Sequence, residues 1–413
     1  MKKQVLLFIF LVFTLPISSC TTEPIAQTYS MECIKSFQEF AYSRPDLYPQ
    51  IEIVLPSAPW EIEAKVPLQK IENYQVAGSQ VAASRSIDGK REIWLIQTLS
   101  PTNESNQQYT NNFLVYQTEL QNWETILAEI EDSGLFVDDI FVTSDGSIWG
   151  KTVWDITHER TDLEKAPVLS KFNENTRRFE FAKGVLEIPW TLFSYGSFPW
   201  PEIVVDNKDV FWIFSENDGI YRYDPISQRT DKQADLLGLD VTEIALSPDG
   251  SIYFKVYSEK IYSQESFFRL LDDMLYQFIP ETKEIVSLKI PEEPWLIFSG
   301  MLIGHDNKLW LGAIGYREPE DNWHLIHPNP ENMFVGAGDI YQAPPFIILE
   351  SSNGILWYRN FLYDERADGT AWYDPQTREG CMFTNIAANI IEDPKQQLWL
   401  VADGKLFKYQ LAP

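Results

Sequence analysis

Three cysteines, four histidines and sixty carboxylates are the residues of this 413-residue chain suited to covalent, ligating or acid–base chemistry. The most specific is Cys20. Lys2 and Lys3 form a basic start, and Val5 to Leu15 an apolar stretch too short to span a bilayer. Ile17-Ser18-Ser19-Cys20 then closes the segment as a bacterial lipobox does, with the thiol positioned for acylation. On this reading residues 1–19 are a signal peptide and Cys20 carries the lipid. Several acyl chains on one cysteine hold a protein stably at a membrane. Thr21 follows, where inner-membrane retention commonly uses Asp, so the expected address is the outer membrane or, in a single-membrane cell, the outer surface.

The other two cysteines are Cys33 and Cys381. Export to an oxidising compartment permits a disulfide between them, and two buried free thiols are the alternative. The histidines are His158, His305, His324 and His327. His324 and His327 look like a metal pair, but on a strand a spacing of three sends them to opposite faces. No Gly-x-Ser-x-Gly elbow, His-Glu-x-x-His, Cys-x-x-Cys, phosphate loop or Asp-x-Asp-x-Asp-Gly calcium loop is present. No catalytic residue and no cofactor is therefore expected, although carboxylates alone can hold Ca²⁺ or Mg²⁺. The formal net charge is −27, and it becomes −29 once the two lysines of residues 1–19 are removed. Such a surface repels nucleic acid.

Aromatic residues in connecting segments supply the candidate binding chemistry. Long connections between second and third strands are expected at 99–111, 153–167, 257–272, 315–322 and 360–368. They share one face with the segments 191–201, 291–295 and 335–345. The proposed ligand contacts in these loops are Trp154, Tyr195, Phe198, Trp200, Trp295, Tyr316, Trp323, Tyr341 and Tyr363. Aromatic rings beside carboxylates suit the C–H faces and hydroxyls of sugars, and equally suit protein partners, where Trp and Tyr dominate interface energetics. The competing reading buries these rings as a cap under folded-back loops.

The elements that must position these loops repeat. Asp145-Gly146-Ser147-Ile148-Trp149, Asp249-Gly250-Ser251-Ile252-Tyr253, Asp306-Asn307-Lys308-Leu309-Trp310 and Ser352-Asn353-Gly354-Ile355-Leu356-Trp357 share one pattern, with looser copies ending at Trp94, Trp212 and Trp399. A second motif trails them, as in Tyr221-Arg222-Tyr223-Asp224-Pro225 and Trp372-Tyr373-Asp374-Pro375. The anchors recur on average every ~51 residues, the length of a four-stranded propeller blade with loops. The expected fold is all-β, a seven-bladed β-propeller over residues 60–413. The chain stops at the third strand of its last repeat, leaving an open sheet edge. The alternating segment 60–66 is expected to fill that edge and close the ring. Residues 20–59 read as the lipidated cysteine, a tether and a short helix beginning near Met31, where Ile34, Phe37 and Ala41 fall at helical spacing.

These turns and the Tyr-x-Tyr-Asp-Pro segments resemble the repeats of the two-component-regulator propeller family, over about residues 80–410. The resemblance implies a propeller acting as a sensory or recognition module. Streptogramin lyases and gluconolactonase-like enzymes share the repeat shape. They set the alternative of a metal-assisted lyase or lactonase working at the channel mouth. The leading expectation is a surface-anchored, monomeric lipoprotein recognising an extracellular glycan or envelope protein. A third is a structural subunit of an envelope complex.

Overall fold

The computed structural model describes residues 31–34, 61–67, 74–102, 110–130, 133, 135–154, 165–189, 201–215, 218–236, 240–257, 275–289, 300–311, 315–319, 322–325, 346–360, 369–376, 379–384, 389–402 and 404–410. No described residue is helical. Among the described residues, seven antiparallel sheets of four or five strands follow one another along the chain, and a separate two-stranded ribbon pairs Lys165–Pro167 with Glu187–Pro189. Their innermost strands are Tyr74–Ile87, Leu135–Val142, Glu202–Val205, Asp240–Leu246, Met301–Ile303, Phe346–Glu350 and Ile390–Glu392. Five of the six successive pairs lie side by side, and the last strand returns to the first. The second and third sheets meet through Trp149 and Phe211 and through Lys151 and Glu202. The arrangement is a β-propeller.

Each anchor sits on the second strand of its own sheet and is buried, from Trp94 in the first to Trp399 in the seventh. The anchors tie sheets together. Trp94 meets Phe172 of the second sheet edge-on at 5.1 Å, and Trp149 meets Phe211 of the third at 5.0 Å. Such pairs add roughly 0.5–1.5 kcal/mol beyond the area they bury.

The turn before each anchor explains the sequence repeat. In six sheets the residue six before the anchor donates its N–H to the carbonyl two before it, as Thr143 does to Ser147 and Asp393 to Gln397. That closure needs a left-handed residue three before the anchor. Gly146, Asp209, Gly250, Asn307, Gly354 and Gln396 supply it, all with φ between 60° and 91°. Glycine and asparagine adopt this conformation readily, which is why four of the six turns carry one of them there.

Closure follows the sequence expectation. Glu61–Lys65 pairs antiparallel with Lys405–Gln410 and becomes the outer strand of the seventh sheet. Two readings need correction. Met31–Ile34 is not the start of a helix but a strand, the fifth and outermost of the sixth sheet, paired with Glu379–Thr384. The open edge of that sheet captures the segment in spite of its helical spacing. In the fifth sheet, Gly315–Arg317 is the third strand and Trp323–Leu325 the fourth, so 315–322 is not a long connection. Strands of three residues are too short to show an alternating pattern.

Candidate functional site

The innermost strands bring four carboxylates to one tier. Asp139, Glu202 and Glu243 each stand ten residues before their anchors Trp149, Trp212 and Tyr253, on three successive sheets. Asp138 joins them because the strand bulges between Val137 and Asp139, and the fourth sheet bulges likewise between Val241 and Glu243. A bulge adds one residue and re-aims its neighbours. Register sets Asp139 across from Lys151 and Glu243 across from Lys255.

Lys151 Nζ reaches Glu202 Oε1 of the next sheet at 3.8 Å, and Lys255 pairs with Glu243. Glu243 Oε1 also accepts the backbone N–H of Met301 from the fifth sheet at 2.5 Å. Four carboxylates thus share two ammonium groups. On the other side of the axis the same tier is held differently. Arg359 donates to Asn389 Oδ1 at 2.9 Å, and Asn389 donates to Gln80 Oε1 at 3.0 Å, joining the sixth, seventh and first sheets.

Asp139 is reached by solvent, yet it is deeply surrounded by protein. The two facts agree for a side chain lining the channel around which the blades are arranged. Burial is the largest influence on Asp138, whose carboxyl is pushed up to about 6; Asp139 and Glu202 add to that and Lys151 opposes it. Asp138 Oδ1 is buried and has no hydrogen-bond partner among the described residues. Burial raises the carboxyls of Asp139 and Glu202 as well. The tier can accept hydrogen bonds from hydroxyl or ammonium groups, and Asp138 can carry a proton close to neutral pH.

Lys255 and Arg359 lie in the second halves of their second strands, and Lys151 at the middle of its own. These strands end at Trp154, Tyr257 and Asn360, one to three residues past Lys151, Lys255 and Arg359, and the connections 155–164, 258–274 and 361–368 follow them in the chain. Sequence reasoning missed the tier, although a carboxylate ten residues before three successive anchors was a visible signal.

Of the proposed aromatic contacts, Tyr316 and Trp323 have described side chains. Tyr316 packs on Trp310 at 4.7 Å between ring centres, stacks on His324 at 4.8 Å and has Lys308 Nζ 5.1 Å from its ring centre. Trp323 Nε1 donates to the Lys289 carbonyl at 2.9 Å. Trp154 ends the second strand of its sheet, across from Leu135. Tyr195, Phe198, Trp200, Trp295, Tyr341, Tyr363 and the lipobox Cys20 lie outside the described residues. His324 Nε2 stands 3.2 Å from Glu318, and His327 lies outside the described residues. Among the described residues no three His, Cys, Asp or Glu side chains are grouped to hold a metal ion.

No family model matches this chain, and no curated protein matches it. Solved structures of similar shape include the extracellular domain of the hybrid two component system BT4673 from B. thetaiotaomicron. It is 14% identical with a TM-score of 0.46, and the match covers 81% of this chain and 41% of that one. YCF48 bound to D1 peptide is 12% identical with a TM-score of 0.49, over 87% of this chain and 97% of that one. Puromycin hydrolase complexed with PGG is 13% identical with a TM-score of 0.39, over 72% and 44%. The chain therefore spans about two fifths of the length of the BT4673 domain.

Proposed function

We propose that this protein is an exported lipoprotein, anchored through Cys20, whose propeller captures an extracellular glycan or protein on its loop face. The observation that carries this reading is the convergence of Asp138, Asp139, Glu202 and Glu243 on one tier of the innermost strands. The signal and lipobox support the address. Aromatic residues of the connections would supply stacking surfaces and the carboxylate tier hydrogen-bond acceptors, a combination that favours ligands rich in hydroxyl or ammonium groups.

One observation favours a second reading. Asp138, half-buried and raised to about 6, is the kind of group that serves as a general acid or base. A lyase or lactonase would use it in that role.

The deciding experiment is thermal unfolding of residues 21–413 against a panel of cell-wall and environmental saccharides, Ca²⁺, Mg²⁺ and chelator. A ligand bound only by the native state adds roughly 2.7 kcal/mol at a hundredfold excess over its dissociation constant. A midpoint raised by saccharide alone supports the glycan reading. A rise with metal that chelator reverses moves the enzyme reading forward. A flat panel removes both small-ligand readings and leaves a protein partner.

A further inference from the structure

The chain contains three cysteines. One stands at the lipobox, and the other two meet in the fold. The strand Met31–Ile34 pairs with Glu379–Thr384 so that Cys33 lies directly across from Cys381, between the pairs Glu32–Met382 and Ile34–Gly380. The row continues inward through Trp372 to Trp357, the anchor of that sheet. Directly opposed residues of an antiparallel pair share one face, with Cα atoms about 4.5 or 5.5 Å apart. Both spacings fall inside the range of about 4.4–6.8 Å that a disulfide spans.

We propose that Cys33 and Cys381 form an intramolecular disulfide that locks the N-terminal strand onto the sixth sheet. One thiolate attacks a disulfide supplied by a thiol–disulfide oxidoreductase or by glutathione disulfide, giving a mixed disulfide. The second thiolate then displaces the donor's sulfur. The two cysteines lose two protons and two electrons, and the donor disulfide is reduced to two thiols.

The bond has a mechanical purpose in this fold. The N-terminal segment crosses from the outer edge of the sixth sheet to the outer edge of the seventh, where Glu61–Lys65 closes the ring. Its first strand has four residues and is paired on one side. With the chain anchored through Cys20, a reading this part rests on, any pull on the tether meets that short strand first. A covalent bond passes the load to Glu379–Thr384 before it reaches the closing strand.

The test is made on the full chain, purified reduced and then incubated under native conditions with glutathione disulfide, which separates the bond from the question of export. Peptide mapping without reductant is expected to yield the Cys33 and Cys381 peptides joined, lighter by two hydrogen atoms, with both thiols lost to alkylation. The bond should raise the thermal midpoint by several degrees and slow proteolysis between residues 35 and 60. Cys33→Ser and Cys381→Ser should each abolish both effects, and the double variant should match either single one. Free, alkylatable thiols after incubation, glutathione adducts at both sites, or a disulfide-linked dimer would each overturn the proposal. Cell fractionation with analysis of Cys20 reports separately on the anchoring reading.

Discussion

Arg91 Nη1 lies 2.6 Å from Asp393 Oδ2, a contact that joins the first sheet to the seventh across the point where the ring closes. Asp393 is buried and receives more than that one donor. Trp399 Nε1 donates to it at 2.9 Å, and the backbone N–H groups of Lys395 and Gln397 donate at 2.8 and 3.0 Å. Arg91 also lies over the Trp399 ring, with 5.6 Å between guanidinium carbon and ring centre. Asp393→Ala removes the acceptor that four donors share, of which Arg91 Nη1 keeps Gln397 Oε1, and should cost about 3–5 kcal/mol. Arg91→Ala leaves the carboxylate three of them and should cost less. Because the two share partners, the double variant should fall short of the sum, as measured by urea unfolding in a double-mutant cycle.

The closing strand has one side chain that bridges both its neighbours. Glu63 accepts the Tyr116 hydroxyl at 2.9 Å from the first sheet and pairs with Lys408 at 2.7 Å in the seventh. Glu63→Ala should lower stability by about 1–2 kcal/mol. Glu61→Ala, whose side chain is 67% exposed and 3.7 Å from the same lysine, should change it by less than about 0.5 kcal/mol. Equal losses in the two variants would show that Glu63 does not bridge the sheets.

The anchors are not equivalent. Trp212 Nε1 donates to Asp206 at 3.1 Å, whereas in the fifth sheet Gly304 occupies the matching position and the buried Trp310 Nε1 has no partner among the described residues. Replacing the indole by a phenyl ring removes the N–H at each site. Trp212→Phe should therefore cost about 1 kcal/mol more than Trp310→Phe in matched denaturant melts.

The carboxylate tier imposes a pH signature. The Asp138 carboxyl is raised from 3.8 to about 6 in the folded chain, so between those values the native state binds more proton than the unfolded one. Stability is then greatest below the lower value and declines as pH rises through the upper one. Asp138→Asn should remove that decline and stabilise the protein by roughly 1–3 kcal/mol at pH 7.5, with little change at pH 3.5. Denaturant midpoints at the two pH values check the sign.

For the loop face, Trp200→Ala should weaken capture of any ligand found in the panel at least tenfold while leaving the unfolding transition cooperative. Binding would be read by titration calorimetry and cooperativity by the slope of the melt. A variant that melts without cooperativity would place Trp200 in the core.

Local chemistry made the blades legible. A left-handed turn residue, a buried aromatic three positions later and an alternating strand are all written within one short segment, so each repeat announced itself. The closing strand at 61–65 was legible because an unpaired edge must be filled. Helical spacing near Met31 misled for the converse reason. A weak local preference in a short segment yields to a sheet edge that offers a full ladder of hydrogen bonds.

What the sequence by itself determined was the repeated unit, because turn geometry and strand alternation act over a few residues. The tertiary structure alone decided which distant residues meet. Asp139, Glu202 and Glu243 are separated by whole repeats, and Cys33 lies near the opposite end of the chain from Cys381. Only closure of the ring, driven by burial of the anchors between sheets, brings the first group to one tier and the second pair to one rung.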